Sequence, residues 1–109
     1  MRKKKLNRDE NLLKIKNLAS FVLPGSRVIL FGSRGRGDFD HYSDYDVLVI
    51  SNKKLDVKEK RRYAGKIRKE LAVMGLPVDV LVKTETDVSY YGGKIGSVIR
   101  EAVRDGITL

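Results

Sequence analysis

Two aspartates, Asp44 and Asp46, are separated by a single residue at the start of an apolar run. Successive side chains of a strand point to opposite faces, so both carboxylates are expected on one face of a strand that begins near Tyr45. Two negative charges so close together repel, and holding them there is unfavourable unless a cation compensates. Mg²⁺ prefers oxygen ligands and binds through a few carboxylates together with substrate phosphates. The pair therefore predicts a divalent-metal site.

A third acid, Asp79, interrupts the apolar residues 78–82. An acid inside a strand pattern needs a reason, because burying a charge without a partner is costly. If the strands that carry Asp46 and Asp79 are neighbours, Asp79 can complete a cluster of three carboxylates. The simpler interpretation is a strand-end acid paired with a nearby lysine or arginine.

A glycine–serine turn, Gly32 and Ser33, follows the apolar residues 27–31. Glycine lets the backbone approach a phosphate, and N–H groups that open a helix attract anions. The Ser33 hydroxyl can donate to a phosphate oxygen, and Arg34 and Arg36 can neutralise a triphosphate, although both could be solvated loop charges. A phosphate-binding turn beside a pair of metal-binding aspartates predicts nucleotidyl transfer. In that reaction one metal ion activates the nucleophile and another stabilises the departing pyrophosphate.

Helices and strands that could position these residues alternate along the chain. Periodicity, capping residues and glycine or proline stops mark their ends. The pattern predicts helices from Asp9 or Asn11 to Val22, at 56–74 and, interrupted by glycines, at 88–105. It also predicts a helical turn from Ser33 and a loop at 84–87. Strands are predicted at 27–31, 45–50, 77–82 and 107–109. This order predicts an α/β or α+β sheet covered by helices.

Composition limits the remaining possibilities. The chain has 109 residues, no cysteine, one histidine, a net charge of +9 and a pI of about 9.9. One domain is expected, without disulfides, thiolate metal sites or a multi-histidine zinc centre. No apolar run approaches the roughly 20 residues that span a bilayer, and no signal peptide is recognisable, so a cytoplasmic protein without membrane attachment is expected. The basic residues 1–8 are expected to be flexible.

The combined motif resembles a known family. A glycine–serine pair, about ten residues and then two aspartates one residue apart is typical of the DNA polymerase β superfamily of nucleotidyltransferases. Residues 30–50, LFGSRGRGDFDHYSDYDVLVI, are similar to the minimal nucleotidyltransferases (MNT), which are often antitoxins encoded beside HEPN-domain partners. The similarity extends to the strand with Asp79 and to the last helix.

This resemblance implies a single nucleotidyltransferase domain over residues 1–109, with a small mixed β-sheet flanked by helices. It implies Mg²⁺, as two ions, held by Asp44, Asp46 and Asp79, and ATP phosphates bound at Gly32 and Ser33. It also implies transfer of AMP from ATP to a tyrosine of a partner HEPN toxin.

Two functions of other classes remain open. The chain could neutralise a toxin by binding alone, although pure binding has no need of an acidic cluster. It could instead bind or modify RNA, since its charge favours polyanionic partners. The basic stretch from Lys53 to Lys69 is either a solvated helix face or a docking surface for RNA or an acidic partner. No RNA-binding signature is recognisable, so direct nucleic-acid binding is not favoured.

Overall fold

The computed structural model describes residues 10–37 and 45–109 of the chain. The predicted flexible N-terminus and Asp44 lie outside these residues. The elements within them are α1 (Glu10–Val22), β1 (Arg27–Phe31), α2 (Gly32–Arg36), β2 (Tyr45–Ser51), α3 (Val57–Val73), β3 (Val78–Thr84), α4 (Glu85–Tyr91), α5 (Val98–Asp105) and β4 (Ile107–Thr108). No helix in the described ranges is both long and apolar enough to cross a bilayer.

The strands form one mixed sheet in the order β3–β2–β1–β4. β2 runs antiparallel to β1 and parallel to β3, while β4 is antiparallel to β1. A parallel pair requires a crossover between its strands, and α3 supplies that crossover between β2 and β3. The fold class predicted from sequence, a small mixed sheet with flanking helices, is confirmed.

Both faces of the central strands are covered, which explains their nearly continuous apolar sequences. One face of β1 and β2 packs against α1 and α3 in the larger core, which includes the buried Ile15 and Ile67. On the other face, Leu48 and Ile50 join a smaller cluster with Ala102 of α5. By the alternation of strand residues, Asp46 belongs to this second face. The acidic residue therefore lies beyond the end of the smaller core.

The region after β3 differs from the sequence-based prediction. Residues 84–87 were expected to form a loop, but α4 begins at Glu85. The Thr84 hydroxyl accepts a hydrogen bond from the Asp87 N–H at 3.2 Å, and the Thr84 N–H donates to the Asp87 carboxylate at 2.9 Å. This reciprocal capping satisfies two backbone donors that a helix start leaves unpaired. The loop prediction was wrong because this threonine–aspartate spacing is itself a helix-start signal.

Asp87 also joins α4 to α3, because its carboxylate Oδ2 forms a salt bridge with the Lys60 Nζ at 2.8 Å. Burial by itself would raise the pKa of the Asp87 carboxyl, but hydrogen bonds from Lys60 and Thr84 outweigh it and hold the pKa below its ordinary value. A lowered pKa stabilises the fold above the unfolded-state value of about 3.9, and that stabilisation disappears as pH falls through the folded-state value.

We expect Asp87→Ala to lower the free energy of unfolding by about 1–2 kcal/mol near neutral pH, since a cap and a half-buried ion pair are both removed. Urea unfolding at about pH 7 and about pH 3 measures this, and the deficit relative to wild type should shrink at the lower pH. Glu85→Ala is the control, because Glu85 makes only an exposed pair with Arg27. A deficit that is independent of pH would contradict the role assigned to the carboxylate.

Candidate active site

Asp46 and Asp79 lie side by side at the start of two parallel strands. They are direct register partners between β2 and β3. Register partners on adjacent strands project to the same face, so the two carboxylates share one side of the sheet. Asp46 is half-buried and Asp79 is exposed to solvent. The prediction for Asp79 depended on its strand lying beside β2. The structure meets this condition.

Gly32 lies directly against Asp46. Phe31, the last residue of β1, is the register partner of Asp46, and Gly32 follows it at the start of α2. Its φ is +69°, in the left-handed region that favours glycine. A Cβ at this position would collide with an Asp46 carboxylate oxygen. The turn and the carboxylate are therefore in mutual contact, and only the absence of a side chain allows this approach.

The other residues of the turn have different surroundings. Ser33 and Arg36 lie within α2, but their side chains are outside the described part of the structure. Arg34 is buried, at 7% exposed, and its guanidinium carbon is 4.0 Å from the centre of the Tyr45 ring. The Tyr45 hydroxyl accepts a hydrogen bond from Asn11 of α1 at 3.1 Å. Arg34 thus packs against the residue that precedes Asp46, and its role in phosphate binding stays a prediction.

A cavity of about 440 Å³ opens beside Gly32, Asp46 and Asp79. This volume is typical of sites for small ligands. Two more charged residues line it, Arg68 of α3 and Glu101 of α5. Neither was predicted from the sequence as a site residue. Arg68 lies in the basic stretch of α3, and Glu101 lies in the last helix, to which the family resemblance extends.

The donor set of this cavity suits a divalent cation that also binds phosphates. Carboxylate oxygens are the ligands that Mg²⁺ prefers, and two adjacent carboxylates concentrate negative charge that a cation would compensate. The first turn of α2 begins at Gly32, and the N–H groups of a helix start can donate to phosphate oxygens. Within residues 10–37 and 45–109, no three acidic, histidine or cysteine residues are grouped to hold a metal. The predicted set needs Asp44, which lies outside these ranges.

Comparison with known sequences finds a matching family and a curated relative. The nucleotidyltransferase domain family matches residues 12–107. A protein of Methanocaldococcus jannaschii named "Putative protein adenylyltransferase" is 45% identical over 56 residues, which are 51% of this chain and 52% of that protein. The match thus spans about half the length of this curated relative.

Solved structures share the fold. A crystal structure of a toxin–antitoxin with AMP-PNP matches with a TM-score of 0.56 and 23% identity, over 87% of this chain and 68% of that chain. A Shewanella oneidensis structure of a tri-AMPylated HEPN toxin with its MNT antitoxin matches with a TM-score of 0.52 and 23% identity, over 90% and 67% of the two chains. At 23% identity, these matches show a shared fold and nothing further.

Proposed function

This chain belongs to the nucleotidyltransferase domain family, and we propose that it transfers AMP from ATP to a tyrosine of a partner HEPN toxin. The observation that carries this proposal is the contact of Gly32 with Asp46, whose register partner on the next strand is Asp79. The glycine turn that we propose binds phosphate and the two carboxylates line one cavity, which is the arrangement that transfer of a nucleotide requires.

The proposed reaction is an in-line substitution at the α-phosphorus of ATP. The tyrosine hydroxyl oxygen forms a new bond to this phosphorus, and the bond from the phosphorus to the oxygen that bridges to the β-phosphate breaks. Pyrophosphate leaves with that oxygen, and the hydroxyl proton passes to a carboxylate of the site. Near Gly32, the N–H groups of α2 would hold phosphate oxygens and orient the reacting phosphorus.

Divalent metal is part of the proposal. Asp46 and Asp79, together with Asp44, would hold two Mg²⁺ ions. Bound there, the ions would neutralise phosphate charge and lower the pKa of the attacking hydroxyl. Arg68, at the edge of the same cavity, brings a positive charge that can pair with the triphosphate.

The proposed acceptor, a tyrosine of a HEPN toxin, is inferred from similar proteins. The Shewanella oneidensis structure is of an AMP-modified HEPN toxin bound to an MNT antitoxin, and the curated relative is named as a protein adenylyltransferase. A net charge of +9 favours an acidic macromolecular partner. Neutralisation by binding alone would leave the paired carboxylates without a purpose, since placing like charges in register disfavours the sheet.

The test is to incubate the protein with a HEPN-domain protein from the same organism, MgCl₂ and ATP labelled at either the α- or the γ-phosphate. We expect label from the α-position on the HEPN protein, no label from the γ-position, and a mass increase of one or more AMP units on a tyrosine peptide. EDTA should abolish the transfer. Binding of the partner without ATP consumption would contradict the proposal and favour neutralisation by binding.

A further inference from the structure

One edge of β3 is unpaired in the described part of the structure. β3 is the outermost strand of the sheet, and of the described residues only β2 pairs with it. No backbone hydrogen bond outside the regular elements reaches Val78–Lys83 from elsewhere in the described chain. A strand edge exposes alternate N–H and C=O groups that can pair with another extended chain.

A groove runs along this edge. It has a volume of about 500 Å³ and contacts four consecutive strand residues, 80–83. Because successive side chains point to opposite faces, a cavity that touches four in a row lies beside the strand and not on one face. The opposite wall is α3, which contributes Lys60, Arg61 and Arg68.

The groove leads to the carboxylates. It shares Arg68, Val80 and Leu81 with the cavity that contains Asp46 and Asp79. A chain lying along the edge of β3 would therefore have one of its residues beside Asp79, where the acceptor hydroxyl must arrive.

The walls of the groove are basic. Lys60 is neutralised by Asp87, but no described residue forms an ion pair with Arg61, Arg68 or Lys83. No carboxylate and no aromatic ring lines this groove among the described residues. Proteins that hold single-stranded RNA usually combine positive charge with aromatic stacking, so backbone pairing with an acidic peptide fits better.

We propose that an acidic, extended segment of the protein acceptor pairs with the free edge of β3 as an added strand. This rests on the proposed transfer to a protein. The edge amides hold the segment, Arg61 and Lys83 select its acidic side chains, and its acceptor residue lies at Asp79. The alternative role of these cations is to prevent unwanted edge pairing between copies of the chain.

The test uses a fluorescent peptide that alternates glutamate with valine around a central tyrosine, and a twin with an N-methyl group on every amide. The twin keeps every charge but has no amide N–H to donate from either edge. Anisotropy without nucleotide measures binding separately from catalysis. We expect wild type to bind the first peptide at least about tenfold more tightly than the twin.

Arg61→Glu should weaken binding of the first peptide by about tenfold, while Lys69→Glu, an exposed position of the same helix outside the groove, should change it less than about twofold. Equal binding of the two peptides, equal effects of the two variants, no binding at all, or tighter binding of poly-uridine would each overturn the proposal. If peptide binding follows the expected pattern but no AMP reaches the HEPN protein, the docking site stands and the proposed acceptor chemistry fails.

Discussion

Asp79→Asn is expected to lower the rate of AMP transfer by about a thousandfold while the fold stays intact. Asp79 is the register partner of Asp46, so the amide would replace one of two adjacent ligands proposed for Mg²⁺. Losing several kcal/mol of metal-derived transition-state stabilisation corresponds to that factor, at about 1.4 kcal/mol for each tenfold. Single-turnover transfer from α-labelled ATP to the HEPN protein measures it.

Thermal unfolding separates this effect from damage to the fold. Removing one of two like charges in register relieves repulsion, so we expect the Tm of Asp79→Asn to be unchanged or slightly higher. Asp105→Asn, an exposed change at the end of α5, should keep wild-type transfer. The catalytic role of Asp79 would be refuted by near-wild-type transfer in Asp79→Asn, or by equal losses in both variants.

Gly32→Ala is expected to reduce transfer by about a hundredfold or more and to lower the free energy of unfolding by about 1–3 kcal/mol. Two effects combine at this position. A side chain at φ +69° is strained, and its Cβ would collide with the Asp46 carboxylate. Moving that carboxylate displaces a proposed metal ligand, because the turn and Asp46 are in contact. Urea unfolding and the same transfer assay measure the two effects.

Gly75→Ala is a matched control for this substitution. Gly75 has a φ of +79°, close to that of Gly32, but no heavy atom lies within 4 Å of a Cβ built there. It should therefore lose stability through backbone strain alone, by about 1 kcal/mol, and keep its activity. If Gly32→Ala lost no more activity than Gly75→Ala, the contact with Asp46 would have no part in catalysis.

Local patterns predicted most of the elements. The apolar residues 27–31 became β1 with the predicted bounds, and the predicted helix at 56–74 became α3, at Val57–Val73. These predictions succeeded because the continuous apolar run of a buried strand and the helical period of an amphipathic helix both depend only on residues close in the sequence. The loop expected at 84–87 failed because a capping signal was not recognised.

Contacts between residues far apart in the sequence could not be predicted from these local patterns. The sequence left Arg34 open between a phosphate ligand and a solvated loop charge. The structure buries it against Tyr45, which excludes the solvated charge, and phosphate binding stays a prediction. Arg68 and Glu101 come from α3 and α5 to line the cavity, and neither was predicted as a site residue. A residue's neighbours across the fold depend on how whole elements pack, which periodicity does not encode.

By itself, the sequence determined the chemistry available to this protein, through a glycine–serine turn, an aspartate pair and a third aspartate within an apolar strand. Only the tertiary structure decided that β3 lies beside β2, so that Asp79 is level with Asp46, and that no other described strand pairs with the outer edge of β3. The physical reason is that strand order is decided by the packing of both sheet faces against α1, α3 and α5, which sums contacts between residues far apart in the chain.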